Sequence, residues 1–153
     1  MSTAPTVLTE LKLSDDMKHA VDSAFGSGKP IVVAYVDPHS APQLSYRGTT
    51  QAYSDTQLAI WVRNPQGRIL ESIRTNPAVA LTYGSFSDPA NRGFMIFRGR
   101  AHVDSSDAVR NHVYDHAHEV ERNQDKERKG VAVLIDLDSV DGFFGGARLK
   151  MRR

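Results

Sequence analysis

Cysteine is missing from all 153 positions, which excludes disulfide staples, thiol nucleophiles and thiolate metal sites together and suits a reducing, cytoplasmic setting. No apolar run approaches the roughly 20 residues that a membrane span requires, and Met1 to Leu8 show neither a basic n-region nor an apolar h-region. Secretion and membrane insertion are therefore not expected. An excess of one charge is missing too: 19 Lys and Arg against 18 Asp and Glu leave a net charge of +1. A near-neutral body does not select nucleic acid, even though Arg and aromatic residues interleave in Phe94 to Arg100. Arg148, Lys150, Arg152 and Arg153 read as a solvated basic tail.

No Gly-x-Ser-x-Gly elbow, Gly-x-Gly-x-x-Gly turn or phosphate loop ending in Gly-Lys-Ser/Thr occurs. Serine hydrolases, dinucleotide-binding βαβ units and nucleoside triphosphatases thus find no support. What is present is a chain 40% hydrophobic, long enough for one domain over residues 1–153 with one buried core.

Ser14, Asp15 and Asp16 place a capping hydroxyl and two carboxylates where a helix start favours negative charge. Met17, Val21, Ala24 and Phe25 follow at helical spacing, and Gly26 supplies a stop. From Pro30 the period changes. Ile31 to Val36 is a β-branched strand closed by the turn formers Asp37-Pro38-His39-Ser40. A second strand, Gln43 to Tyr53, sets Leu44, Tyr46, Gly48, Thr50 and Ala52 on a core-like face and Ser45, Arg47, Thr49 and Gln51 on a polar one. A third runs from Leu58 to Arg63. Asn64-Pro65 then predicts a helix start, with Ile69, Leu70 and Ile73 buried and Pro77 as the stop. Ala78 to Tyr83 is the fourth strand, and the loop Gly84 to Arg92 leads to the fifth, Gly93 to Val103, where Gly99 marks a bend. A long helix over Ser105 to Asp125, a sixth strand over Val131 to Asp138 and an irregular stretch from Val140 complete a mainly β, α+β pattern: a small antiparallel barrel with flanking helices.

Chemistry concentrates at the junction Trp61-Val62-Arg63-Asn64-Pro65-Gln66-Gly67-Arg68. Free N–H groups at a helix start, the positive end of its dipole and two guanidinium groups converge there on one anion, and a phosphate suits them. The plain alternative is a tight turn with two solvated arginines. Arg47, Thr49 and Gln51 lie beside Trp61 and Arg63 if the second and third strands pair as a hairpin, and polar groups beside an aromatic suit a planar heterocycle. A solvated barrel face alternates in the same way. His112 and His116 share a helix face, with Asp115 and Glu119 nearby, while His118 lies off it. The zinc-protease pattern is absent, so no metal is assigned, and no residue is given a catalytic role.

Pro42-Gln43-Leu44-Ser45, Gln57-Leu58-Ala59-Ile60-Trp61, the helix from Arg68 to Asn76-Pro77, and Phe97-Arg98-Gly99-Arg100-Ala101 follow one another in an order that resembles the pyridoxamine 5′-phosphate oxidase-like split-barrel family, over roughly residues 14 to 143. The resemblance implies a six-stranded antiparallel split β-barrel with flanking helices and a C-terminal arm over residues 144–153. It further implies a homodimer that binds FMN at the subunit interface, some relatives using the deazaflavin F420 and others haem. By position it sets Arg47, Gly48, Thr49, Gln51, Trp61 and Val62 along the flavin. Relatives often hold the phosphate with a Ser-Arg-Lys run after the third strand. Here that run falls on Gln66-Gly67-Arg68, which keeps a basic group at its last position, with Arg63 as a second source of charge; Arg in place of Lys gives a forked donor. The expected function is an FMN-dependent, alternatively F420-dependent, oxidoreductase that passes hydride between the flavin and a small organic substrate. The rivals are a non-enzymatic flavin-binding module and a haem-binding relative ligated by His102, His39 or a helix histidine.

Overall fold

A computed structural model describes residue 4 and residues 6–89 and 92–153. Ala90 and Asn91 of the predicted loop, and residues 1–3 and 5 of the segment weighed as a leader, lie outside the described residues.

Ser14 starts a helix as its chemistry demands. Its Oγ accepts the Met17 N–H at 3.2 Å, and α1 (Asp15–Ser23) follows with Met17, Ala20 and Val21 buried. The left-handed residue after it is Gly28, at φ 73°, rather than Gly26. β2 (Val32–Val36) and β3 (Pro42–Tyr46) form the first hairpin. Its loop is tied by the Asp37 carboxylate, which accepts the N–H groups of His39 and Ala41 and the Gln43 amide at 2.9–3.0 Å.

The predicted second strand is not continuous. The Thr50 N–H donates to the Arg47 carbonyl at 3.1 Å, closing a turn, and the chain pairs anew as β4 (Gln51–Ser54) against β5 (Gln57–Val62). A period-2 pattern carried across a turn loses its meaning. Leu44 and Tyr46, expected inside, are exposed at 74% and 73%, while Thr49 and Gln51 are buried.

β5 is buried on both sides. Leu58, Ile60 and Val62 enter the barrel core with Phe97 and Ile135; Ala59 and Trp61 lie with Ala132 and Leu134 beneath α3 (Asp107–His116). α2 (Arg68–Thr75) begins later than Asn64-Pro65 predicts. Asn64 spends its side chain on the Gln66 N–H at 3.0 Å and its carbonyl on the Gly67 N–H at 2.9 Å, so Asn64 and Pro65 build a turn and Gly67 precedes the helix. The predicted long helix also breaks: Ala117, at ψ 151°, separates α3 from α4 (Glu119–Asn123), and His118 Nδ1 accepts the Val120 N–H at 3.1 Å.

β6 (Ala78–Ser85), β7 (Gly93–Asp104) and β8 (Val131–Phe144) form the central antiparallel ladder. Gly99 sits at its register shift, where any Cβ would collide with the Asp136 carbonyl oxygen. The segment expected to be irregular is ordered: β8 runs on to Phe144 and returns as β9 (Ala147–Arg152) through Gly145 and Gly146, at φ 60° and 77°. Positive φ at both positions suits a two-residue hairpin turn. Leu149 and Met151 alternate into the core from between basic neighbours. β1 (Thr6–Glu10) adds a parallel edge on β9. The described residues thus form a nine-stranded sheet in the order β1-β9-β8-β7-β6-β2-β3, with β4 and β5 joining at β8. The expected six-strand count rises because the second strand divides and both chain ends add strands. No described helix is long and apolar enough to cross a membrane.

Candidate functional site

A cleft of about 520 Å³ opens where the Arg47–Thr50 turn, the end of β5, the start of α2 and α4 meet. It gathers Arg47, Gly48, Thr49, Trp61, Val62, Arg63 and Gly67 from the residues predicted to contact a cofactor. Tyr46, Asn64, Ile69 and Glu121 complete the lining and were not predicted.

Gln51, Gln66 and Arg68 lie outside that lining. Gln51 is turned to structure: its Nε2 donates to the Val113 carbonyl at 2.9 Å and ties β4 to α3, while its Oε1 is buried without a partner among the described residues. Gln66 is exposed at the approach to α2 and Arg68 is exposed at its first position. Thr49 also serves the fold. Its hydroxyl donates to the Trp61 carbonyl at 2.9 Å and accepts the Trp61 N–H at 3.0 Å, clipping the turn to β5.

Trp61 is 3% exposed. Tyr114 meets its ring edge-on at 5.3 Å, the Arg110 guanidinium lies 5.4 Å from its centroid, and Nε1 donates to Asp125 Oδ2 at 2.9 Å. Burial opposes the ionised form of Asp125, but N–H donors from Lys129, Trp61 and Gly130, with the charge of Arg63, outweigh it and hold the carboxyl below its ordinary value.

Neither arginine of the cleft makes a direct ion pair among the described residues, although the charge of Arg63 acts on Asp125 through space and Glu121 lines the same cleft. Arg47 is half-buried, with Nε donating to Ser45 Oγ at 3.0 Å, and Arg63 is exposed, with Nη1 donating to Gln124 Oε1 at 3.4 Å. Neither joins a carboxylate in an ion pair among the described residues. Burial pushes Arg47 below the ordinary guanidinium value; Tyr35 opposes this and the charge of Arg63 adds to it. Both stay cationic, since arginine does not give up its proton in proteins. Partial burial of an unpaired charge and repulsion from a like charge are both relieved when an anion arrives. The start of α2 strengthens this preference, because Gly67 precedes it without a side-chain cap and the first N–H groups remain for a ligand or water.

The histidines do not converge on an ion. His112 and His116 stack with ring centroids 4.0 Å apart, and His116 Nδ1 hydrogen-bonds to the His112 carbonyl at 2.8 Å. No group of three or more His, Cys, Asp or Glu side chains placed to hold a metal is found among the described residues. His102 pairs with Asp136 at 3.4 Å on the outer sheet, and His39 is exposed on the first hairpin loop.

The outer face of the sheet carries exposed apolar side chains in two places. Leu44 and Tyr46 stand opposite Ala34 and Val32, and across the sheet Phe94, 37% exposed, pairs with Phe143, 41% exposed. Tyr46 belongs to both the face and the cleft.

No family model and no curated protein matches the chain. Solved structures do. HupZ of Group A Streptococcus aligns over 88% of this chain and 97% of its own, at 15% identity and TM-score 0.63. A protein related to general stress protein 26, of the pyridoxinephosphate oxidase family from Clostridium acetobutylicum, aligns over 91% and 96% at 11% identity and TM-score 0.58. An FMN-binding protein from Syntrophomonas wolfei aligns over 82% and 84% at 3% identity and TM-score 0.64. At these identities the likeness is one of fold: the chain has the split-barrel fold of pyridoxamine 5′-phosphate oxidase-like proteins.

Proposed function

We propose that the cleft holds the phosphate end of FMN and that the chain is a cytoplasmic, FMN-dependent oxidoreductase. In this reading it works as a homodimer on a small organic substrate, with F420 as the alternative cofactor. One observation carries the reading: Arg47 and Arg63 line a single cleft, and neither is ion-paired with a carboxylate among the described residues. The donor chemistry fits a phosphate, with two forked guanidinium groups and an uncapped helix start at Gly67. The FMN-binding protein of Syntrophomonas wolfei, with the same fold, supports the choice of flavin.

In this reading Arg63 carries the charge that the resemblance gave to Arg68. Trp61, tucked under α3, is a wall and not a stacking surface. Bound FMN would supply two-electron redox chemistry. The chain's own residues neutralise, orient and exclude water. Arg63→Ala should weaken FMN binding roughly 10- to 150-fold, the equivalent of about 1.5–3 kcal/mol for a charge-assisted contact; unchanged affinity in a fluorescence titration overturns the assignment.

The second copy belongs on the apolar outer face, where Leu44 and Tyr46 stand open and Tyr46 leads directly into the cleft. Leu44→Asp should convert a sedimenting dimer into a monomer. A wild-type monomer that still binds FMN at micromolar concentration would contradict the shared site.

A further inference from the structure

One charged group of the cleft takes no part in holding an anion. Glu121, on α4, lines the same cavity as Arg47 and Arg63 yet makes no ion pair or side-chain hydrogen bond among the described residues. Its place is set by its surroundings. A Cβ at position 48 would lie 2.5 Å from Glu121 Oε1 and 2.7 Å from Phe25 Cδ2, so the glycine there is what lets the carboxylate come down against the turn. The backbone of Gly48 is not in the left-handed region, so space, not φ, explains the residue. α4 itself is moored on both sides: the Tyr114 hydroxyl donates to the Arg122 carbonyl at 3.2 Å, Arg63 reaches Gln124, and Trp61 holds Asp125.

An ionised carboxylate only accepts hydrogen bonds, and it repels phosphate. Glu121 Oε1 lies beside Gly48, one residue along from the half-buried Arg47, in the same cleft. We infer that Glu121 is a specificity residue that accepts hydrogen bonds from the hydroxyl groups of a polyol chain next to the phosphate, so that the cleft selects a sugar-alcohol phosphate over a bare phosphate. This rests on the flavin-phosphate reading of the cleft. Gly48 and Glu121 then act as a pair, the first making room for the second.

The test separates the two halves of the ligand, using riboflavin for the polyol without phosphate and inorganic phosphate, as a competitor of FMN, for the anion without polyol. Glu121→Ala should weaken riboflavin binding about ten-fold, through loss of charged hydrogen bonds. The same change should make inorganic phosphate a several-fold better competitor, because a repelling charge has gone. Gly48→Ala, which pushes the carboxylate away while keeping it, should weaken riboflavin in the same direction. Glu121→Gln keeps the shape and should show the phosphate gain with a smaller riboflavin loss. A general loosening of the fold would weaken both ligands together, and that result, or unchanged riboflavin affinity, overturns the role of Glu121 while the flavin reading stands. Failure of the wild-type chain to bind FMN or riboflavin overturns the reading of the cleft and this inference with it.

Discussion

Arg98 and Arg100 on β7, Arg152 on β9 and Arg153 beyond it stand over Asp138 and Asp141 of β8, each with a carboxylate oxygen at 2.9–3.4 Å. Arg47, just after β3, and Arg63, at the end of β5, have none among the described residues. The two groups look alike in sequence, as basic residues among apolar and small ones. Their difference comes from what the neighbouring strand supplies. Across β7, β8 and β9 acid stands near base, and the basic residues of the tail expected to be solvated are exposed, with Arg152 and Arg153 joined to carboxylates in pairs that are individually weak. At the cleft the arginines sit on a turn and a strand end beside glycines, with Glu121 facing Gly48 and Asp125 acting on Arg63 through space only. The first group has its counter-charges at hand; the second is where the proposed anion would sit.

The largest effect that would sharpen this contrast comes from reversing charge on each side. Arg63→Glu should lower FMN affinity by roughly 100-fold or more, since it replaces an attractive contact with a repulsive one. Arg152→Glu should leave that affinity unchanged, and equal losses in the two variants would erase the distinction. Next comes the register on which the paired surface depends. Gly99→Ala should destabilise the protein by about 1–3 kcal/mol in urea unfolding, because the new methyl meets the Asp136 carbonyl oxygen; a neutral change would show that the bulge does not fix the alignment of β7 on β8.

A smaller effect concerns the mooring of α3 and α4 over the cleft. Asp125 has its folded pKa held below the ordinary 3.8. Its contribution is therefore fully present above that value and is lost as pH falls through the lower folded value. The chain has a single tryptophan, Trp61, bonded to this carboxylate. Acidification below about pH 4 should shift its emission as the arm loosens, and Asp125→Asn should shift it already at neutral pH, because the donors lose their charged acceptor. Identical titrations in the two proteins would contradict this. The smallest effect is expected at the ladder: Arg152→Ala should cost no more than about 1 kcal/mol, and less in high salt. A larger, salt-insensitive loss would make the paired surface a structural core feature.

Much of the barrel was legible in the sequence because its signals are local. Ser14 caps, Gly99 bends, Pro77 stops, and the β-branched runs become strands. The turn at Arg47–Thr50 was hidden because the alternation of Leu44, Tyr46, Gly48 and Thr50 runs through it unbroken, so a change of partner strand left no mark. The break at Ala117 has neither Gly nor Pro. In β9 the inward Leu149 and Met151 are separated by basic residues, which made a strand look like a tail. At the cleft, the Arg63-to-Gly67 junction could be read from helix-start chemistry, and Arg47 to Thr49 from its proximity. Gln51 was drawn into the site by the same alternation that the turn invalidates. Glu121 had no sequence signal, since its meeting with Gly48 is made by tertiary packing of α4 and by the space a missing side chain leaves.

The central claim, that unpaired arginines make this cleft a phosphate-bearing flavin site, is tested most directly by parallel fluorescence titrations of the wild-type chain and Arg63→Ala with FMN and riboflavin. Both ligands should bind the wild type saturably, FMN tighter by tens-fold as charge-assisted contacts require, and in the variant most of that advantage should disappear. Equal affinities for FMN and riboflavin in the wild type, or an FMN advantage untouched by loss of Arg63, would contradict it.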